Sequence, residues 1–547
     1  MYDFDVILKK IGGFGRIQAI LTFMICFSAI PSGLVTLAPV FIQYRPDYRC
    51  RIPILDERSS HNLSEEQILN FSTPFDPGDN KFDFCFRFPY NDTSCNANDV
   101  IKCFNTSAEP EICKDGYYYD RTLFSETVVT EFNIVCENRY LDTLATSLFM
   151  AGRCIGTILC GYIADRFGRK KTIVASYLAC FVAVLSCSFV HEMWMFILLR
   201  TMTAFFDNGS YVPNFLYLLE MTSEQHRSIV GLTYQISFSV GYMLLSGLAY
   251  YARNWHHLEM AIAMCMVPYL IFLLFIPESP RWLFSRKRNV EAMKITRRFA
   301  RCNKVRLSEA DILLHAEVKE KDKISRARTY TTKDLFKTPK TRIVTLKILF
   351  LWVTSGLVYY GISLNASSLS GNIFINNCLS GVMETVAYFL IMFLMNKTGR
   401  RWMLIFLFAL AGLGLLVGTA LMEIVGGNES VIFFFIGKFG IAGAYAVIYN
   451  FTTELYPTVT RGNGVSAGAT SANLASVFAP VMIELQDSLS WLPNVLFGVM
   501  AVIATFITYT MPETGSRNMC ETIEEAEIFY AGKRKQRVSV DSSSSML

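Results

Sequence analysis

Charge is scarce in this chain. Only 18% of its 547 residues are charged, against about 25% in a soluble globular domain. Histidine is scarcer, with 6 in all, and none falls at the middle of an apolar run. That absence excludes an intramembrane hydrolase, which needs a nucleophile and a base paired at mid-depth. There is no G-x-x-x-x-G-K-[ST] loop, so no direct coupling to ATP is encoded. There is no H-E-x-x-H and no close cysteine–histidine ligand spacing. No metal or cofactor is expected, and His256-His257 reads as an interfacial pair at a helix end. The formal charge of +5 is too small and too scattered to suggest nucleic acid as a partner.

What fills the chain instead is apolar sequence, 52% of it. A bilayer span needs about 20 mainly apolar residues. Twelve such windows are present, near 17–42, 142–163, 172–190, 193–220, 229–252, 258–276, 347–365, 373–395, 402–422, 431–453, 462–484 and 490–511. Helix is the expected form, because backbone groups must be satisfied within each segment. The first window is not a cleaved signal peptide: it is too long, has Pro31 at its centre and lacks a small-residue cleavage site. Lys and Arg collect at 164–171, in 281–342 and at Lys533, Arg534, Lys535 and Arg537. With twelve spans these all fall on one side, as do both termini, and that side is expected to be the cytosol. The opposite side has one long segment with Cys50, Cys85, Cys95, Cys103, Cys113 and Cys136. Six cysteines in an exported loop suggest three disulfides, with 15 pairings open. The glycosylation acceptors Asn62, Asn70, Asn91 and Asn105 lie in the same loop. Asn208, Asn365 and Asn450 also begin formal sequons, but in or at the ends of spans, and read as chance matches.

The expected division is therefore a cytosolic N-terminus 1–16, a first span 17–43, an extracellular loop 44–141, spans two to six over 142–280, a basic helical linker 281–346, spans seven to twelve over 347–511 and a cytosolic tail 512–547. Helical stretches are expected in the linker at 289–302 and 308–322, and the final "RKQRVSVDSSSSML" reads as disordered. The halves repeat. Phe167-Gly168-Arg169-Lys170 corresponds to Thr398-Gly399-Arg400-Arg401, Glu220 and Arg227 to Glu454 and Arg461, and Pro277-Glu278-Ser279 to Pro512-Glu513-Thr514. Three pairs in register argue for two parallel six-helix halves, the build of the major facilitator transporters.

"GYIADRFGRKKT" at 161–172 resembles the helix 2–3 signature of that superfamily. "TEFNIVCENRYLDTLATSLFMAG", "PESPRWLFSRKRNVEA" and "GKFGIAGAYAVIYNFTTELYPTVTR" resemble the organic ion transporters of solute carrier family 22. "YQISFSVGYMLLSGLAYYARNW" is most similar to the organic cation and carnitine branches. The resemblance implies an all-α membrane protein of twelve helices with a large extracellular loop. It also suggests that Asp165 and Arg169 meet the cytosolic end of span 11 and gate the motion. Glu220, Arg227, Glu454 and Arg461 join them as candidate gating residues.

Few charges interrupt the spans: Arg153, Arg200, Asp207, Glu384 and Lys438. Such charges are costly at mid-bilayer and usually face a bundle interior or a water-filled path. Arg200 and Lys438 lie about two turns from a span end and can snorkel, although the glycines of "IGKFGIAG" allow close helix approach at Lys438. Arg153 and Asp207 can neutralise each other. That leaves Glu384 as the lone acid expected to face the path. Aromatic faces attract quaternary ammonium groups, and Tyr211, Phe215, Trp352, Tyr359, Tyr360, Tyr445 and Tyr449 are candidates. The resemblance implies that positions matching Tyr211, Phe215, Gln235, Trp352, Tyr359, Glu384 and Tyr445 line the substrate cavity. At Tyr211 and Phe215 only aromatic character is kept. Asn473 is a departure, standing where the cation branch has an acid and the anion and carnitine branches an arginine. Asn208 stands where cation carriers have a basic residue. The expectation is a polyspecific plasma-membrane transporter of small organic cations or zwitterions, carnitine-like or amine-containing, working by alternating access. Its partners are a small organic ion and the lipid bilayer. An organic anion transporter of the same fold and a non-transporting, receptor-like member are the alternatives. Neither an enzyme nor an ion channel fits.

Overall fold

The chain is described here by a computed structural model covering residues 4–56, 64–76, 81–90, 104–305, 331–425, 430–487, 489–515 and 520–530. Among the described residues, twelve long helices carry the fold. The first six are α1 (Arg16–Leu37), α2 (Tyr140–Phe167), α3 (Arg169–Cys187), α4 (Met193–Met221), α5 (Arg227–Tyr251) and α6 (Trp255–Phe275). The second six are α7 (Pro339–Leu364), α8 (Ile373–Thr398), α9 (Arg400–Ile424), α10 (Ser430–Leu455), α11 (Arg461–Ser476) and α12 (Leu492–Tyr509). Eleven of the twelve, α11 together with its continuation to Glu484, are long and apolar enough to cross a membrane. The other is α4, whose apolar face is diluted by Arg200, Asp207, Asn208 and Asn214, all buried. It packs between α2 and α3, in the same layer as helices that do qualify.

Local chemistry sets the helix ends. Gly168 and Gly399 have φ of 115° and 83°, a region nearly closed to other residues, and each separates two antiparallel helices. The side chains of Asn254 and Asn372 accept from the first free backbone N–H groups of α6 and α8. Helices α1–α6 pack as one half and α7–α12 as the other. The halves meet where α5 lies against α8 and α2 against α11.

The described residues between α1 and α2 form three two-stranded antiparallel ladders. These pair β1 (Tyr48–Cys50) with β6 (Tyr117–Tyr119), β2 (Phe75–Asp76) with β3 (Lys81–Phe82) and β4 (Phe86–Arg87) with β5 (Glu111–Ile112). Disulfides join Cys50 to Cys113 and Cys85 to Cys136. Cys95 and Cys103 lie outside the described residues, as do Asn62 and Asn91. Asn70 and Asn105 are exposed. Asn208 and Asn365 are buried and Asn450 half-buried, which agrees with reading them as chance sequons. We call the side of the molecule bearing this segment the loop face, and the opposite side the basic face. On the basic face, Asn289–Cys302 is helical. Asn303 after it donates to the Ile11 carbonyl at 3.1 Å and to Gln18 at 2.9 Å, tying the linker to the start of α1. The stretch 308–322 and the tail from 534 fall outside the described residues.

Close helix approach governs the packing of each half. A Cβ on Gly241 of α5 would lie 2.1 Å from the Ile30 carbonyl oxygen of α1, and backbone cannot swing aside as a side chain can. Gly247, two turns on, has nothing within 4 Å of such a Cβ. Gly241→Val is therefore expected to lower the thermal stability of the purified protein by about 3 kcal/mol or more, the upper end of overpacking costs. Gly247→Val should melt with the parent. Equal melting of the two variants would contradict this packing.

Candidate functional site

The middle of the second half holds a buried ion pair. Lys438 Nζ on α10 lies 3.1 Å from Glu384 Oε2 on α8, and both side chains are at most 1% exposed. Glu384 is not the lone acid expected from the sequence, and Lys438 does not snorkel. Each is the other's partner because an isolated charge at this depth is far too costly. The remaining carboxylate capacity is also filled. Tyr359 Oη lies 3.0 Å from both oxygens, while Ser239 Oγ and Tyr388 Oη each donate to Oε1 at 3.0 Å. Lys438 donates to Ser363 Oγ at 2.7 Å, and its ammonium sits 3.8 Å above the centre of the Tyr359 ring. Ser239 belongs to α5, so this cluster bridges the two halves.

The first half carries a second buried cluster. Arg153 Nη1 lies 3.6 Å from Asp207 Oδ2, bringing together the pair suspected from the sequence. Ser32 Oγ donates to Asp207 at 2.9 Å, Arg153 donates to Thr36 and, at 3.4 Å, to Asn208 Oδ1. Asn473 Nδ2, from α11, donates to Thr157 Oγ1 at 3.3 Å. Thr157 in turn donates to the Arg153 carbonyl at 2.9 Å and accepts from Asn208 Nδ2. The neutral Asn473 therefore completes a neutral-donor network around an already balanced pair.

A third pair corrects another expectation. Arg200 does not reach for the bilayer surface. It donates to Glu259 of α6 at 2.9 Å and to the Val35 carbonyl at 3.2 Å, with 2% and 0% exposure for the two side chains. Glu259 sits near the end of its apolar run and was missed for that reason. Its carboxylate is fully buried in the first half, where Arg200 of α4 is its partner.

Aromatic rings fill the space between the two central clusters. Tyr359 packs on Tyr360 and Tyr445, with ring centres 5.1 and 5.5 Å away. Trp352, fully buried, packs edge-on to Tyr449 at 4.5 Å and donates from Nε1 to Thr452 at 3.1 Å. Phe215 reaches Tyr449 across the halves at 6.5 Å. Tyr211 donates to Gln235 Oε1 at 3.2 Å. The Arg153 guanidinium lies 5.7 Å from the Tyr360 ring centre. Tyr360 thus stands between the two clusters. Tyr388, Tyr242, Ser239 and Ser363 were not singled out from sequence. Tyr388 carried a signal, since it follows Glu384 by four residues and shares its helix face.

The candidate gating residues fall into two matching networks. On α3, Arg169 pairs with Glu220 at 3.0 Å and with Asp165 at 2.5 Å. Glu220 accepts from Ser279, and Glu278 accepts from the Lys170 backbone N–H. In the second half Arg400 pairs with Glu454 at 2.9 Å, Glu454 accepts from Thr514, and Glu513 accepts from the Arg400 backbone N–H. The sequence repeat is thus a repeat of bonds. Arg227 donates to the Leu219 carbonyl and Arg461 to Thr458. The ion pairs of Asp165 and Arg169 stay within the first half. The halves come together at the loop face, where Arg139 pairs with Glu484 at 2.6 Å and Phe41 stacks on Phe374 at 5.6 Å, and on the basic face Arg461 lies within electrostatic reach of Glu224.

Removing one member of a buried pair strands the other. Asp207→Asn and Arg153→Met are each expected to destabilise the purified protein by about 3–5 kcal/mol. The double variant should recover part of that loss through a coupling of about 0.5–3 kcal/mol. Thermal denaturation of the four proteins checks this, and strictly additive losses would contradict the pairing.

Comparison with known proteins agrees with this architecture. Residues 96–526 match the family described as Sugar (and other) transporter. The chain is 32% identical to solute carrier family 22 member 21 of Mus musculus, over 98% of this chain and 96% of that protein. It is 32% identical to the organic cation transporter protein of Drosophila melanogaster, over 96% and 95% of the two chains. Among solved structures it is similar to the inward open conformation of the xylose transporter XylE from E. coli. That match has a TM-score of 0.62 at 15% identity, covers 94% of this chain and 99% of that one, and shows the fold alone. With its paired intramembrane charges, repeated halves and full-length relatives, the chain belongs to solute carrier family 22 and is a multi-pass membrane transporter, not an enzyme.

Proposed function

We propose that this protein carries small organic cations across the plasma membrane by alternating access, with Glu384 as the residue that attracts them. The observation that supports this reading is the seat of Lys438. Its ammonium lies against a carboxylate and over a tyrosine face, the pairing an organic ammonium prefers. A site that holds a protein ammonium has the chemistry to hold a substrate ammonium when Lys438 moves aside. Tyr359, Tyr360, Tyr445, Tyr449, Trp352, Tyr211 and Phe215 provide further ring faces, and Gln235 and Asn473 neutral polar groups. The names of the relatives, organic cation transporters among them, point the same way.

One observation favours zwitterions as a second class. Arg153 lies near the Tyr360 ring and Glu384 at the hydroxyl of its neighbour Tyr359. A ligand with both an ammonium and a carboxylate finds a partner for each. In this reading the two halves rock about the central clusters, and Asp165 and Arg169 clamp the basic face when the loop face opens. In this structure their ion pairs are made within the first half. The basic face and both termini are cytosolic, and the segment 44–141 is extracellular and glycosylated, in keeping with its disulfides and with exposed Asn70 and Asn105.

Uptake of a labelled tetraalkylammonium into proteoliposomes tests the assignment. Glu384→Gln should cut uptake by about tenfold or more, since an ammonium–carboxylate contact is worth a few kcal/mol at moderate dielectric. Unlabelled cations and zwitterions should compete, and organic anions should not. Unchanged uptake in Glu384→Gln, or competition by anions alone, would overturn it.

A further inference from the structure

A cluster of potential metal ligands lies on the loop face, away from the central site. Glu131 ends the short helix Val128–Glu131 in the segment before α2. His191 lies in the turn between α3 and α4, and His256 is the second residue of α6. One ligand atom from each residue lies within 4.8 Å of the others. His256 Nε2 is 2.9 Å from Glu131 Oε2, and His191 Nδ1 is 3.5 Å from Glu131 Oε1. In a tetrahedral zinc site with bonds near 2.0–2.1 Å, neighbouring ligand atoms stand about 3.3 Å apart. The two observed separations, one to each carboxylate oxygen, bracket that value, and the two imidazole nitrogens lie within 4.8 Å of each other, so the ligands close on an ion by small side-chain movements.

The surroundings are those of a metal ligand set. His256 Nδ1 lies 3.0 Å from the Ser188 carbonyl oxygen, an acceptor that keeps a proton on Nδ1, so an ion would replace the proton that Nε2 shares with Glu131. Metal-bound histidines characteristically use their second nitrogen in this way. Glu131 Oε2 also accepts from Trp255 Nε1 at 2.6 Å, which fixes the carboxylate. His191 is on the open side, with its side chain 80% exposed, leaving room for a water as fourth ligand. Two imidazoles and one carboxylate suit zinc or a similar borderline divalent ion better than calcium or magnesium, which prefer oxygen.

The geometry points to a divalent transition-metal site formed by Glu131, His191 and His256, of the two-histidine, one-carboxylate type that zinc favours. The three ligands come from three separate stretches of chain. A bound ion would therefore staple the segment between α1 and α2 to the turn after α3 and the start of α6. The same seam is already stitched by Trp255 N–H to the Glu126 carbonyl at 3.2 Å and by Asn254 to the Glu126 carboxylate at 2.9 Å. Binding at such a seam raises folded-state stability by mass action.

The test uses the full-length protein, purified and reconstituted in nanodiscs, with zinc ion as the probe. Calorimetric titration should show a saturable site of one equivalent, and zinc should raise the melting temperature. Cobalt(II) in place of zinc should give the visible absorption of a tetrahedral site. His191→Ala, at an exposed position that leaves the fold intact, should weaken zinc binding by about tenfold or more and remove both the melting shift and the cobalt band. His257→Ala, on an exposed neighbour outside the cluster, should leave all three unchanged. No saturable zinc binding to the parent, or binding and melting shift that survive His191→Ala, would overturn the assignment.

Discussion

A charge buried in this bundle must have a partner, and much of the structure follows from that constraint. Three ion pairs meet it: Arg153 with Asp207, Arg200 with Glu259, and Lys438 with Glu384. Each joins two different helices. In hydrocarbon no water compensates for a misplaced charge, so each pair fixes how its helices sit against one another. The pairs also leave the central region formally neutral. A carrier must take up a substrate without leaving an unpaired charge behind, before or after it departs. On the proposed cycle Glu384 stays paired throughout, with Lys438 before the substrate arrives and after it leaves and with the substrate ammonium in between; the displaced Lys438 ammonium then has to be met by other partners.

The positions of the spans were legible because the bilayer demands a minimum apolar length. The sidedness of basic loops and cysteines followed from equally blunt chemistry. The repeat at Gly168 and Gly399 was legible too, and the structure gives it content. Arg169–Glu220 and Arg400–Glu454 are the same bond made twice, each anchored by a glutamate from the end of its half. The pairing of Arg153 with Asp207 was anticipated because both lie near the centres of neighbouring runs.

The partner of Glu384 was not read correctly, and the reason is instructive. Glu384 and Lys438 were the acid and the base singled out among the second-half spans, so charge balance alone argued for a pair. Weighing each residue separately, one as a path-facing acid and one as a snorkelling base, hid it. Glu259 was less accessible to sequence reasoning. Its position near a helix end suggested exposure, and only the packing of α6 against its neighbours brings it to Arg200 and buries it. The hydroxyl shell of Tyr359, Tyr388 and Ser239 depends on helix rotation and on contact between the halves, which periodicity in apolar helices scarcely encodes.

The central claim is that a substrate cation competes with Lys438 for Glu384. Equilibrium binding of a tetraalkylammonium to purified Lys438→Met protein tests it most directly. The account predicts tighter binding than in the parent, by about tenfold for each ~1.4 kcal/mol of competition removed. Binding that is unchanged or weakened by Lys438→Met, in protein that still folds, would contradict it.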